Sequence, residues 1–177
     1  MNFINPALAA RAFLFFSYPS VMSGDNCWVA KDEIFGLGYT RADTTTAATP
    51  LALAALNANT EIDTAAAIIG LIPGSMGETS IIAIGIGAAI LLITGVASWR
   101  IIFSVFAGGI ATAMLFNSLG MSSLSITDHL ILGGFAFGAV FMATDPVTSS
   151  RTENGKFVYG FLIGAMAIII RVLNPGY

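Results

Sequence analysis

The feature that most constrains this chain is an uncharged run of nineteen residues, 80–98, which is followed directly by Trp99 and Arg100. A helix needs about 20 mainly apolar residues to cross the hydrocarbon core of a membrane. Tryptophan and arginine are typical of the boundary between membrane and water, because each combines an apolar body with a polar end. The run therefore predicts a membrane-spanning helix that ends at an interfacial anchor.

The composition extends this prediction to the whole chain. Of the 177 residues, 56% are hydrophobic and 10% are charged, whereas soluble domains have roughly a quarter charged residues. The net charge of −3 leaves no basic surface for nucleic acid. A single cysteine, Cys27, and a single histidine, His129, cannot form an internal disulfide or a metal site of their own. We expect an integral membrane protein that contacts lipid, binds no nucleic acid and has no metal centre.

The remaining apolar runs predict an all-α, polytopic membrane helix bundle of about five spans. Several of these runs are shorter than 20 residues, so we expect helices that are broken inside the bundle or flanked by polar residues that enter the membrane. The segment 64–79 begins with a short apolar run and ends in "PGSMGETS", which predicts a half-helix or a re-entrant segment. The predicted parts are a single transmembrane domain, 1–177, an apolar run, 7–22, an extramembrane loop, 23–49, and a four-helix bundle, 80–171, with spans at 80–98, 101–116, 130–144 and 157–170.

The basic residues predict an orientation. Arg100 lies in one connection, and Arg151 and Lys156 lie in the connection two spans later, so all three share a face of the membrane. The intervening connection, 117–129, contains no lysine or arginine. Cytoplasmic connections are enriched in these residues, so this face is predicted to be cytoplasmic and the loop 23–49 external. Arg171 falls on the external side and opposes the assignment.

The polar segment "DTTTAAT", 43–49, concentrates hydroxyl groups just before an apolar run. A threonine hydroxyl can accept a covalent group, and Asp43 with the neighbouring hydroxyls could bind a modifying enzyme or its metal. The alternative is a turn that leads into a helix, with Asp43 or Thr46 as its N-cap.

Two further polar positions border the predicted spans. Glu78 lies in the glycine-rich turn before residue 80, where a helix N-terminus could contact a flavin, a phosphate or an ion path, or where Glu78 simply caps the helix. Asp145 follows an apolar run and precedes Pro146. An acid inside a membrane is a candidate functional residue, so Asp145 with Thr144 and Thr148 could bind sodium. The alternative is a span end with Asp145 in water.

Two sequences of the form G-x-x-x-G, 134–138 and 160–164, predict close packing between helices. Glycines four residues apart share one face of a helix and let a second backbone approach closely.

Residues 43–49 resemble the flavinylation motif of membrane redox subunits. That motif has an aspartate, two free positions, Ser or Thr, a small residue that is usually glycine, an alanine and the acceptor threonine. The resemblance implies that Thr49 carries FMN through a phosphoester bond and that Asp43, Thr46 and Ala48 are motif positions. Ala47 departs from the usual glycine.

Other segments extend the resemblance over nearly the whole chain. The chain is similar to the NqrB family, the flavin-bearing membrane subunits of the sodium-translocating NADH:quinone reductase. Members of that family have about ten spans in two homologous halves, and the chain matches roughly the second half. The related RnfD subunit of the ferredoxin:NAD complex shares the threonine motif. The segments that carry the resemblance are 5–25, 73–80, 93–100, 133–150 and 171–175.

The resemblance implies a redox subunit of the bacterial inner membrane, with its flavin-bearing loop on the periplasmic side. Covalent FMN on Thr49 and a riboflavin would relay electrons from NADH to ubiquinone, coupled to sodium export. A flavin transferase would attach the FMN, and the chain would contribute no catalytic side chain and need the other subunits of the complex for activity. Two alternatives are a subunit of the RnfD type and a transporter or channel half without flavin.

Overall fold

The computed structural model describes residues 5–18, 64–70, 79–122 and 124–173, and all regular secondary structure among them is helical. The predicted all-α membrane helix bundle is confirmed at the level of fold class. The helices are α1 (Pro6–Ser17), α2 (Thr64–Ile69), α3 (Ile81–Ile93), α4 (Trp99–Ser118), α5 (Ile126–Ile131), α6 (Phe135–Phe137), which continues into a π-helical turn (Gly138–Met142), and α7 (Glu153–Leu173).

Two of the described helices, α4 and α7, are long and apolar enough to cross a membrane. They contain 20 and 21 residues, which at 1.5 Å per residue gives each a length of about 30 Å. The apolar helices α1 and α3 are shorter. The described residues thus provide two full-length spans, and the count of about five stays a prediction.

The central pair of helices, α4 and α7, runs parallel. Trp99 at the start of α4 lies edge-on to Phe157 near the start of α7, with ring centroids 6.3 Å apart. Further along, a Cβ atom placed on Gly108 would clash with the carbonyl group of Phe161. A Cβ atom on Gly164 would likewise clash with the carbonyl of Val105. The packing predicted for 160–164 is confirmed, because only hydrogen at these positions allows the two backbones to approach so closely.

The predicted span 130–144 is a broken helix. Helix α5 ends at Ile131. Its C-cap, Leu132, has an extended backbone with ψ 145°, and Gly133 follows with φ 66°. Glycine adopts positive φ without steric cost, so the chain can turn here and start α6. The expectation of broken helices is confirmed for this segment. The packing role predicted for 134–138 is wrong, because Gly134 is exposed and precedes α6, and a Cβ on Gly138 would meet only Met142, at 3.9 Å.

The core lies between α4, α7 and the broken segment. Phe135 of α6 lies edge-on to Phe106 of α4, with ring centroids 5.7 Å apart. Ile168 of α7 is completely buried. The apolar residues buried in this cluster are Ile101, Val105, Ala113, Phe135, Ala139, Ala143 and Ile168.

The connections place the ends of the helices at two ends of the bundle. We call the end that contains Arg100, Arg151 and Lys156 the cationic end, and the end that contains Ser122, His129 and Arg171 the histidine end. Helix α3 and the broken segment run toward the cationic end, and α4 and α7 run away from it. Helix α2 packs against α3 and α5, so it lies at the histidine end, within the predicted half-helix segment 64–79.

Candidate functional site

The predicted flavin motif, Asp43, Thr46, Ala47, Ala48 and Thr49, lies outside the described residues, as does Glu78. The structure places the other predicted positions, Thr144, Asp145 and Thr148, in the turn that follows the π-helical turn at the cationic end. That turn is therefore the part of the candidate site whose geometry can be described.

The Asp145 carboxylate accepts three hydrogen bonds from the protein. The Thr148 hydroxyl donates to Oδ2 over 2.7 Å, and the Val147 N–H donates to Oδ1 over 3.2 Å. Asn5 donates from its side-chain Nδ2 to Oδ2 over 3.0 Å. Pro146 explains why the helix stops here, because its nitrogen carries no hydrogen and its ring clashes with a continuing helix.

These hydrogen bonds favour the charged form of Asp145. The Thr148 hydroxyl, followed by the Val147 N–H, lowers the pKa of Asp145 below its ordinary value of 3.8, against a smaller opposing effect of burial. The carboxylate is partly exposed at the end of a span. Asp145 is thus an anion in a polar turn, and both its oxygens already accept hydrogen bonds from protein donors.

The two threonines predicted beside Asp145 have different partners. Thr148 bonds to the carboxylate, whereas the buried Thr144 hydroxyl donates to the Val140 carbonyl one helical turn earlier. Thr144 therefore closes the end of the π-helical turn. Of the predicted oxygen ligands, the structure brings Asp145 and Thr148 into direct contact.

Asn5 is a residue of this turn that sequence reasoning missed. Its Oδ1 accepts from the backbone N–H of Ala7 at 2.9 Å and of Leu8 at 3.4 Å, and so caps α1. The pair Asn5–Pro6 is a recognisable helix start, since asparagine is a favoured N-cap and proline suits the first turn. The bond to Asp145 spans 140 positions of sequence, and no local signal indicates it.

The three basic residues predicted to share a face do lie at one end of the bundle. Arg100 forms an ion pair with Glu153, and Lys156 bonds to the same carboxylate at 2.9 Å. The Arg100 guanidinium also lies over the Trp99 ring, 5.3 Å from its centroid. Glu153 thereby ties the start of α4 to the start of α7.

A second polar cluster lies at the histidine end. His129 is 1% exposed, and its Nε2 lies 2.8 Å from the Ser122 hydroxyl. Its Nδ1 is buried and has no hydrogen-bond partner among the described residues. Arg171, the basic residue that opposed the predicted orientation, donates to the His129 carbonyl at 2.6 Å. The last carbonyls of a helix lack partners within it, so Arg171 has a structural role at this end.

Clusters of His, Cys, Asp or Glu side chains commonly bind metal ions. Among the described residues, no group of three or more such side chains converges.

Comparison with known proteins identifies the family. The model of the NQR2, RnfD, RnfE family matches residues 1–177. Two similar proteins are named as the B subunit of Na(+)-translocating NADH-quinone reductase. The protein of Chromohalobacter salexigens is 52% identical over an alignment of 185 residues, which covers 99% of this chain and 42% of the relative. That of Klebsiella pneumoniae strain 342 is 50% identical over 190 residues, which covers 99% of this chain and 43% of the relative.

This chain belongs to the NQR2, RnfD, RnfE family, as its resemblance to NqrB predicted. It spans less than half the length of the curated relatives that it matches.

Proposed function

We propose that this chain forms one part of the membrane domain of an NqrB subunit of a sodium-translocating NADH:quinone reductase and carries covalent FMN on Thr49. The proposal rests on sequence identity. Proteins with that name are about 50% identical to this chain, over 99% of its length. The family model also covers subunits of the RnfD type. The names of the similar proteins favour the quinone reductase.

Thr49 is the proposed attachment point because it stands at the acceptor position of the motif. Its hydroxyl oxygen would form the phosphoester bond to FMN, and Asp43 and Thr46 would be recognised by the flavin transferase. Ala47 and Ala48 would occupy the two small-residue positions of the motif before the acceptor. FMN, with a riboflavin as second cofactor, would supply the electron-transfer chemistry, while the chain would position the flavin.

The topology supports a periplasmic position for the flavin. The start of α1 is bonded to Asp145 at the cationic end, whereas α2 lies at the histidine end. The motif lies between these two helices in the sequence. With the cationic end cytoplasmic, the chain passes from the cytoplasmic face at the start of α1 to the opposite face at α2, and we propose that the motif between them lies on the periplasmic side of the bacterial inner membrane.

The proposed partners follow from the same assignment. NADH oxidation and ubiquinone reduction would take place in the whole complex, so this chain would act only with the other subunits. Sodium would be the exported ion. The proposed positions of a sodium path are Asp145, Thr148, Thr144 and Glu78. Asp145→Asn in the intact complex tests the role of Asp145 in this path. Unchanged sodium-dependent turnover would remove Asp145 from the path.

The first experiment measures covalent flavin. The chain is co-expressed with a flavin transferase, purified, and analysed by intact mass and by in-gel flavin fluorescence after denaturation. We expect one FMN phosphoester on the unaltered chain and none on Thr49→Ala. Thr45→Ala is the matched control, because it removes an equal hydroxyl from a free position of the motif and should leave the flavin attached.

Two results would contradict the proposal. A folded, unflavinylated chain would favour the flavin-free transporter or channel half, and a flavin retained by Thr49→Ala would place the attachment elsewhere. If the complex that purifies with this chain contains ferredoxin-linked subunits and no NADH-oxidising subunits, the chain is instead a subunit of the Rnf type.

A further inference from the structure

An open cavity of about 570 Å³ lies at the cationic end of the bundle. It is formed by the end of α3, the start of α4, the turn after the π-helical turn and the start of α7. Its lining combines hydroxyl groups, basic side chains and an apolar margin. The lining includes Leu92, Val96, Ser98, Trp99, Arg151 and Lys156.

The charged side chains of this lining, Arg151 and Lys156, are both cationic. Lys156 donates one hydrogen bond to Glu153, and an ammonium group has two further hydrogens to donate. Arg151 is exposed and carries five N–H donors in a planar arrangement that suits phosphate oxygens. The nearby carboxylates already have partners, since Asp145 is bound by its own three donors and Glu153 pairs with Arg100 and Lys156. The cavity therefore offers positive charge and directed donors to an anion.

The start of α4 adds neutral donors to the same cavity. Ser98 is the N-cap of α4, and its side chain makes no capping hydrogen bond. The first N–H groups of a helix lack acceptors within it, and they carry a partial positive charge. Ser149 and Ser150 add two more hydroxyls to the lining. A group with several acceptor oxygens, such as a phosphate, matches this set of donors.

The margin of the cavity is apolar and exposed. Val96 and Trp99 are each more than half exposed, and Leu92 is exposed beside them. Trp99 begins a helix that is long and apolar enough to cross a membrane, so its ring is expected at the level of the lipid headgroups. A free phosphate would gain nothing from an exposed apolar margin. An amphiphile would place its phosphate on the donors and its chains along the margin.

We propose that this cavity binds the headgroup of an anionic phospholipid, with the phosphate between Arg151, Lys156 and Ser98 and an acyl chain along Leu92, Val96 and Trp99. Basic pockets between membrane helices at the cytoplasmic surface suit such headgroups. The proposal depends on the cavity and its charges, not on the flavin.

The test is native mass spectrometry of the full chain in detergent, titrated with phosphatidylglycerol and, in a parallel series, with phosphatidylcholine. We expect phosphatidylglycerol to bind more tightly, and Arg151→Gln or Lys156→Gln each to weaken that binding about fivefold. The matched control is Arg11→Gln, which removes an equal charge from the exposed side of α1, outside the cavity, and should bind like the unaltered chain. Ser98→Ala removes a donor at constant charge and should weaken binding by a smaller factor.

Three results would overturn the proposal. Equal affinity for the two lipids would show that the site does not distinguish lipids by their charge. Equal losses of phosphatidylglycerol affinity in Arg11→Gln and Arg151→Gln would show that net charge alone attracts the lipid. Full displacement of the lipid by millimolar inorganic phosphate would show a site for a free anion. Circular dichroism of every variant verifies that the helices are retained, and Ser98→Ala keeps the test decisive if a charge variant does not fold.

Discussion

At the residue scale, the Asp145 side chain connects two segments that are far apart in the sequence. Its carboxylate joins the turn before α7 to the first residue described in the structure, Asn5, through hydrogen bonds with Asn5, Thr148 and Val147. Asn5 in turn caps α1. One anion thus links two segments that are distant in sequence, and its charge strengthens each of these bonds.

The charge of Asp145 predicts a dependence of stability on pH. Because folding lowers the pKa of Asp145, the ionised carboxylate stabilises the folded state. This stabilisation is fully present above the ordinary pKa of 3.8 and is lost as the pH falls through the lower pKa of the folded state. Asp145→Asn should therefore have a lower thermal midpoint than the unaltered chain at neutral pH. The difference should shrink at about pH 3.

The measurement is thermal unfolding in detergent, followed by circular dichroism at both pH values. Thr148→Val is the companion variant, because it removes the strongest donor and leaves the carboxylate. If the difference in thermal midpoint between Asp145→Asn and the unaltered chain grew toward low pH, this account would be refuted.

A second prediction at the residue scale concerns the buried imidazole of His129. Ser122→Ala would leave both ring nitrogens unpaired, because Nδ1 already has no partner among the described residues. An unsatisfied buried polar group costs about 1–3 kcal/mol. We expect a loss of that size in the free energy of unfolding. Ser118→Ala is the control, since that serine is exposed and bonds to the Leu115 carbonyl of its own helix, and it should change stability by less than about 0.5 kcal/mol.

At the element scale, the contact between α4 and α7 depends on residues without a side chain. Gly108, Gly160 and Gly164 each meet the facing helix where a Cβ atom would clash. For Gly108 and Gly164 the obstructing atoms are backbone carbonyls, which cannot move aside as a flexible side chain can. The two helices therefore cannot keep their present separation with alanine at these positions.

Alanine substitutions measure this contact directly. Gly164→Ala should lower the free energy of unfolding by about 1–3 kcal/mol, because an extra methyl group in a close-packed contact forces the backbones apart. Gly85→Ala is the matched control on α3, where a Cβ would meet nothing within 4 Å, and it should be neutral or slightly stabilising. Denaturant titration in mixed micelles separates the two variants. Equal effects would mean that the contact is looser than described.

At the scale of the whole molecule, alternating helix directions sort the polar groups into two ends. Arg100, Arg151 and Lys156 collect at one end, and His129 and Arg171 lie at the other. The parallel pair α4 and α7 is possible because the broken segment returns the chain between them. The cationic end is the surface that we expect in the cytoplasm.

Cysteine labelling tests this orientation. In a Cys27→Ala background, Thr152→Cys at the cationic end should react with a membrane-impermeant thiol reagent only from the cytoplasmic side. Met121→Cys, which is exposed at the histidine end, should react only from the periplasmic side. The reagent reaches the periplasmic side in intact cells and the cytoplasmic side in inverted vesicles. The reverse pattern would place the proposed flavin loop in the cytoplasm and contradict the periplasmic assignment.

The sequence by itself determined the membrane character, the all-helical class, the shared face of the three basic residues and the family. These properties follow from local composition and spacing, because apolar runs, interfacial pairs and short motifs are read from neighbouring residues. The packing of 160–164 was also predictable, since small residues four apart define a face. The motif at Thr49 and its neighbours is a prediction of the same local kind.

Only the tertiary structure decided which distant groups meet. The bond between Asn5 and Asp145, the ion pair between Arg100 and Glu153, and the contact of Arg171 with His129 all join segments far apart in the chain. The break at Gly133 was likewise decided by packing, because two adjacent glycines permit a turn and do not require one. The cavity at the cationic end has the same origin, because its lining comes from four segments that only packing brings to one place.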